Sequence, residues 1–465
     1  MTKKTIFVLG VALAAMIAVA QNRILIELTG QGGKGVIALP EFRGAGEAQA
    51  LMGTFNQTLW AEIEGSGLFR MAPRTSYPLQ SPQRPQDIRG GQAPAATPAP
   101  ARRGASAAPP AQPTGMYLSD WAGPPVSANY LAFGYTAAQN GRLVLMGYFY
   151  NVNQPDAANA QVFGKIYNGS LDAAGATKVA RDFAADILKQ FGMESLAGSK
   201  VVFVSTRSGA KEIWAMDHDG ANQRQITKYR SISTTPAVSS DGTRVAFTTY
   251  ARSQPAIEIF SLETLRKLPF FNQNASMNAT PSFSPDGKQI VFSSTFAGGY
   301  AQIYIADSNG SNLRRLTHTR AVEVEPKMNP KTGSELVFVS GRSGPQQIYR
   351  MNIEGTDIVR LTDGTGEASN PAWHPDGQHM AFAWTRGFEP GNFNIFLMNV
   401  ATREYVQLTH GAGRNENPTW APDGRHIVFA SKRGGRTNIY TMLADGTQVK
   451  QLTTEGENTM PVWSK

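Results

Sequence analysis

The sequence predicts an α/β N-terminal domain followed by an all-β, six-bladed β-propeller closed by the C-terminal strand, and three observations carry that reading. A strand, a Pro-Asp-Gly turn and a second strand recur between residues 200 and 465 with a period of about 45 residues. The first copy lacks its leading strand, while the last residues supply one strand with nothing after it. Ahead of the array, short alternating runs and two helical periodicities share one stretch, the pattern of a small sheet with covering helices.

The repeat is plainest over residues 370–387 (NPAWHPDGQHMAFAWTRG), and recurs at 417–433 (NPTWAPDGRHIVFASKR) and 280–295 (TPSFSPDGKQIVFSST). Weaker copies begin at Thr235 and at Glu325, the latter with Asn-Pro-Lys-Thr-Gly in place of Pro-Asp-Gly. Proline near the start of a strand sits where a missing N–H does least harm. Pro-Asp-Gly then reverses the chain, because Asp bonds its own backbone and Gly takes positive φ. The alternating run that follows, such as Ile290 and Phe292, reads as a half-buried strand. A third strand ends in pairs such as Ile303-Tyr304, and a fourth is placed on the Leu-Thr pairs, Leu316-Thr317 or Leu361-Thr362. Four strands per period make a propeller blade.

The run from Lys200 to Thr227 supplies only the second to fourth strands of a blade. Pro461 to Ser464 is therefore expected to be its inner strand, which hides both edges that an open array would expose.

Residues 1–20 read as a signal peptide: Lys3 and Lys4, an apolar run to Val19, and a small-x-small site that places cleavage between Ala20 and Gln21. The α/β domain is expected over 21–197 and the propeller over 198–465. Ile24 to Leu28 and Val36 to Pro40 read as strands around a Gly-rich turn. Ala48, Leu51, Met52, Phe55, Leu59 and Ile63 recur at helical spacing, and Phe69 to Met71 adds a strand. From about 81 to 113 Pro, Ala, Gln, Arg and Gly dominate, which reads as a mobile insertion without a core. Asn140-Gly141 marks a hairpin between Tyr130–Thr136 and Leu143–Tyr150, Val162 to Tyr167 follows as a strand, and a last helix carries Val179, Phe183, Ile187 and Phe191 on one face.

Composition removes some functions. With no cysteine, disulfides and thiol catalysis are excluded. The net charge of +9 is scattered rather than clustered, which speaks against nucleic acid as a partner. The Gly-rich run ending at Lys34-Gly35 lacks the Gly-Lys-Ser/Thr ending of a phosphate loop. Ser208 to Lys211 and Lys331 to Gly333 spell fragments of a penicillin-binding site, yet fall in turns of the repeat. Gly341-Arg342-Ser343-Gly344-Pro345 misses the last glycine of a hydrolase elbow. The six histidines read as isolated from one another, and Asp217-His218-Asp219-Gly220 is too short for a calcium loop. No catalytic residue, metal site or cofactor follows.

One cluster survives. Glu323, Glu325, Glu367, Glu416 and Glu457 all lie just before the inner-strand prolines, and are expected to gather on one face of the ring around the channel. Three readings stay open: a solvated rim, a docking surface or weak cation site, and a catalytic carboxylate pair.

The export signal, the α/β unit, the P-x-[WF]-x-P-D-G and I-Y…L-T signatures and the C-terminal closure together resemble the TolB family of the Tol-Pal system. The strings ILIELTG, GVIALPEF, LWAEIEGSGLFR and YLSDW are similar to family strings at the same places. The resemblance implies a monomeric, non-enzymatic periplasmic adaptor without cofactor, touching membranes only through partners and serving outer-membrane integrity and cell division. It implies that the lipoprotein Pal docks on the channel-mouth face, at Met277, Asn278, Thr280, Val324 and Glu325, with Glu367, Asn370, Glu416 and Asn417 as neighbours. It implies that Gln21, Asn22 and Arg23 contact TolA or another inner-membrane Tol protein. The rival expectation is a periplasmic hydrolase or ligand-binding propeller using the rim carboxylates.

Overall fold

The computed structural model describes residues 34–89, 114–386, 391–411 and 413–465. The signal segment, its Ala20/Gln21 cleavage site, Gln21–Arg23 and the expected strand Ile24–Leu28 lie outside the described residues. The chain divides into two compact units, one comprising Gly32–Ala197 and the other containing Gly198–Lys465.

In the first unit, β1 (Gly35–Ala38), β2 (Arg43–Ala45), β3 (Phe69–Met71), β4 (Tyr130–Gln139), β5 (Arg142–Asn151) and β6 (Gln161–Ser170) form one sheet in the order β3-β1-β4-β5-β6, with β2 pairing along β4. β4 and β5 turn at Asn140 (φ 49) and Gly141 (φ 71), both left-handed as a two-residue hairpin needs. The strands alternate their burial. Ile37, Ala132, Leu145 and Phe149 face α1 (Met52–Gly65) and α2 (Ala173–Lys189), which contribute Phe55, Leu59, Ile63, Val179, Phe183 and Ile187. Val36, Ala38, Leu131, Phe133 and Tyr150 face the other way, onto Trp121 and Ile88. α2 starts where the Asp172 carboxylate accepts the Gly175 N–H at 2.7 Å. A Cβ on Gly147 would stand 2.9 Å from the Phe183 ring, so that helix rests directly on the β5 backbone.

Residues 81–89, expected to open the mobile insertion, are instead packed. Ile88 is 5% exposed in the core, Asp87 Oδ2 accepts the Gln83 and Arg84 N–H groups, and Arg89 bridges to Tyr117. One apolar residue held by a carboxylate-capped turn outweighs the Pro-rich composition around it; residues 90–113 lie outside the described residues.

The second unit is six four-stranded antiparallel sheets. We number the blades from the N-terminus. The inner strand of blade 1 is Asn458–Ser464, and those of blades 2 to 6 are Ser233–Val238, Asn278–Phe283, Glu323–Met328, Ala368–Trp373 and Asn415–Trp420. Blade 1 is thus closed by the tail: Trp463 pairs with Val201, Val462 with Val202 and Asn458 with Ser205, and the Trp463 Nε1–H donates to Ser199 Oγ at 2.9 Å. Successive residues of each second strand face opposite neighbours, so Val245 and Phe247 pack with blade 1 while Ala246 packs with blade 3.

The fourth strands end one residue before the Leu-Thr pairs rather than on them: Arg314–Arg315 precedes Leu316-Thr317 and Val359–Arg360 precedes Leu361-Thr362. The pairs are locks. The Leu361 N–H donates to the Ile348 carbonyl (2.8 Å) while Thr362 Oγ1 accepts the Ile348 N–H (3.1 Å), and four other blades repeat the threonine bond. In blade 2, Asn272 does both, accepting the Ile257 N–H and donating to its carbonyl.

Candidate functional site

The channel of the ring is lined by the third residue of each inner strand: Thr235, Thr280, Glu325, Asn370, Asn417 and Met460, all directly before a proline. All six have positive φ, between 47° and 54°, and all six strands slip register there. The cause is local. Proline disfavours the right-handed helical region for the residue before it and brings no N–H to the ladder, so the strand bulges and its side chain swings to the channel. Left-handed backbone is unusual for a β-branched residue, which marks Thr235 and Thr280 as held there by their surroundings.

Those surroundings form a relay across the blades. Thr280 Oγ1 accepts the Glu325 N–H (3.3 Å), Glu325 Oε2 accepts the Asn370 N–H (2.7 Å), and Asn370 Oδ1 accepts the Asn417 N–H (3.2 Å). Within this wall lies a cavity of about 70 Å³, with Lys327, Thr419 and Val462 completing its lining, enough for several waters. Glu325 touches the cavity but is walled by protein. Burial pushes its carboxyl above the ordinary glutamate value, against the Asn370 N–H and Lys327, while Glu416 adds to the rise. Lys327 is lowered by the same burial and partly restored by Glu325. The channel therefore holds one acid and one base, each supporting the other's charge.

The expected carboxylate ring is not one array. Glu323 is fully buried inside blade 4, paired with Arg342 at 3.0 Å and bonded to Thr319 and Ser340. Only Glu325 lines the cavity; Glu367 and Glu457 are exposed on the loops outside it, and Glu416 pairs with Arg414 at 2.6 Å. Thr280, Asn370 and Asn417 join Glu325 in the relay. Asn278 is 2% exposed, with its amide donating to the Gln273 carbonyl and accepting from Ser294 Oγ, so it fixes the loop rather than offering a surface. Val324 packs against the core between blades 4 and 5, and Met277 is half-buried beside Thr295.

A feature absent from the sequence reading is the asymmetry of this mouth. The residue just before each inner strand is Ile232, Met277 and Val322 in blades 2 to 4, but Glu367, Arg414 and Glu457 in blades 5, 6 and 1. Ile232 is 44% exposed and Val322 40%, and Tyr250 (44%), whose N–H donates to the Ile232 carbonyl, and Phe296 (47%) extend the apolar arc. The signal was present as apolar residues in loops, where no periodicity places them. The histidines also differ from expectation: His374 and His379 share the Asp376 carboxylate in one turn. The elbow-like Gly341-Arg342-Ser343-Gly344-Pro345 lies between two strands with no helix after it. Among the described residues, no helix is long and apolar enough to cross a membrane.

A ring of six blades with proline-bulged inner strands, shut by its last strand and preceded by an α/β unit, defines the class of closed six-bladed β-propellers, distinct from the open repeat arrays. Residues 189–367 and 363–465 match the family signature described as the TolB beta propeller domain. The chain belongs to that family. It is 34% identical over 236 residues to a protein TolB homolog of Chlorobium luteolum, covering 50% of this chain and 51% of that protein. It is 31% identical over 234 residues to the Tol-Pal system protein TolB of Bordetella pertussis, again 50% and 51%. The chain thus matches about half the length of these curated relatives. The crystal structure of TolB from Acinetobacter baumannii superposes with a TM-score of 0.71 at 20% identity, covering 93% of this chain and 97% of that one, which shows a shared fold.

Proposed function

We propose that this chain is a non-enzymatic periplasmic adaptor of a Tol-Pal system, which docks the lipoprotein Pal on its channel mouth. Contact with TolA or another inner-membrane Tol protein falls to its N-terminal part, Gln21 to Arg23 included, and the whole serves outer-membrane integrity and constriction during division. The observation that carries the reading is the apolar arc of Ile232, Tyr250, Phe296 and Val322 beside the charged residues Glu367, Arg414 and Glu457 on one rim. An exposed apolar patch with a polar border suits a protein partner better than a small substrate. The likeness to Tol-Pal system proteins supports a component of that system as the partner. Val322→Glu with Ile232→Glu is expected to weaken capture of a Pal-like domain by about tenfold or more, with unchanged circular dichroism. Undiminished capture by the double variant counts against the mouth as the Pal surface.

A further inference from the structure

In the turn joining the first two strands of blade 5, His374, Asp376 and His379 bring one donor atom each within 4.8 Å of the others. The equivalent turns of the other blades are an internal control. In blades 2 and 3 a serine stands where His374 does, and its hydroxyl donates to the turn aspartate: Ser239 to Asp241 at 2.5 Å and Ser284 to Asp286 at 2.6 Å. Blade 6 has Ala421 at that place, yet keeps the bond from His426 Nδ1 to Asp423 at 2.6 Å. The aspartate-to-histidine bond is therefore a turn lock common to blades 5 and 6, and His374 is what blade 5 adds.

The orientation of His374 is set from the next blade. The Gly424 carbonyl, 2.8 Å from Nε2, can only accept, so Nε2 carries the proton, and the Trp420 ring stands edge-on at 4.5 Å. A neutral imidazole has one N–H, which leaves a lone pair on Nδ1. That atom accepts the Asp376 N–H at 3.1 Å and lies 3.0 Å from the Asp376 carboxylate. Two electron-rich atoms thus face each other where the serines of blades 2 and 3 place a proton. Across the same carboxylate, His379 Nδ1 lies 2.8 Å from Oδ2. A histidine whose far nitrogen donates to a backbone carbonyl while its near nitrogen faces a carboxylate is oriented as metal-ligating histidines are.

We propose that His374 Nδ1, the Asp376 carboxylate and His379 Nδ1 form a site for a borderline divalent transition ion, of which zinc is the representative. Two imidazoles and one carboxylate suit zinc, with water as fourth ligand. The Asp376 side chain keeps 31% exposure against 12% and 4% for the two histidines, which gives the ion and that water a way in. Binding moves the His379 proton from Nδ1 to Nε2, beside the Asn399 amide at 3.4 Å, and puts the ion in place of the Asp376 N–H at His374 Nδ1. Through Gly424 the ion would fasten the turn of blade 5 to that of blade 6.

The test is equilibrium dialysis of the untagged full chain against micromolar free zinc. The expected result is one zinc per chain, with affinity lowered by about tenfold or more in His374→Ser, which restores the serine of blades 2 and 3, and in Asp376→Asn, and unchanged in His426→Ala. Cobalt(II) in place of zinc gives a readout that needs no variant, the visible absorption of a four-coordinate site. A parent chain that binds no zinc, zinc retained in both variants, or no four-coordinate cobalt spectrum overturns the site.

Discussion

At position 325 a carboxylate stands where the neighbouring blades place a hydroxyl (Thr280) or an amide (Asn370), and Lys327, two residues on, stands where blade 6 has Thr419. The buried pair sets up a double-mutant cycle. Lys327→Met leaves Glu325 as a lone buried acid, so it should cost about 1–2 kcal/mol more at pH 7 than Lys327→Met combined with Glu325→Gln, read by urea unfolding. The sign with pH follows from the raised carboxyl of Glu325. Below the ordinary glutamate value, about 4.3, folded and unfolded chains are both protonated at this site; between that value and the raised one the unfolded chain ionises while the folded one keeps its proton, and above both the two states are charged alike. The single variant should therefore lose stability relative to the double one as pH rises above about 4.3. The sequence placed Glu323 and Glu325 together because residues two apart share a face of a regular strand. The bulge at Glu325-Pro326 breaks that alternation, so one carboxylate is sealed inside the blade and the other meets the channel. His374, Asp376 and His379 were legible as a short H-x-D-x-x-H string, but their significance depends on the carbonyl of Gly424, fifty residues on by number and adjacent only in space.

Within a blade, the Leu-Thr pair shows how a weak sequence signal can have a definite mechanical meaning. Thr362 is 2% exposed; its hydroxyl accepts the Ile348 N–H and donates to Gln347 Oε1 at 2.7 Å. Thr362→Val keeps the shape but strands a buried donor, and is expected to cost about 2 kcal/mol in chemical denaturation. Thr362→Asn should recover part of that loss, because Asn272 performs the same task in blade 2. The strands themselves were legible, since alternation and Pro-Asp-Gly are local properties of the chain. The lock was displaced by one residue in the reading because Leu-Thr has strand-like composition, and only the hydrogen bonds show that it turns out of the ladder to hold the third strand. Residues 81–89 failed for the opposite reason: their composition is loop-like, and the anchoring by Ile88 and Asp87 comes from tertiary contacts.

For the ring as a whole, the decisive pairing is the one between the inner strand Asn458–Ser464 and Lys200–Ser205. It was legible by subtraction, because one copy of the repeat lacked a strand and another strand lacked a copy. The division of the mouth into apolar and charged arcs was not, because it depends on which loop residues stand side by side once the circle is complete. A chain ending at Gly456 removes Trp463, 8% exposed, along with the whole strand. It is expected to lose at least about 3 kcal/mol and to associate through the bared edge, seen as early elution on size exclusion and faster proteolysis. The tail bond also imposes a timetable. Trp463 and Ser199 are 264 residues apart along the chain. During synthesis, Lys200–Ser205 can pair with Glu212–Asp217 at once, but its other edge must wait for Asn458–Ser464, whatever the blades between them have already done. Such distant pairing slows folding.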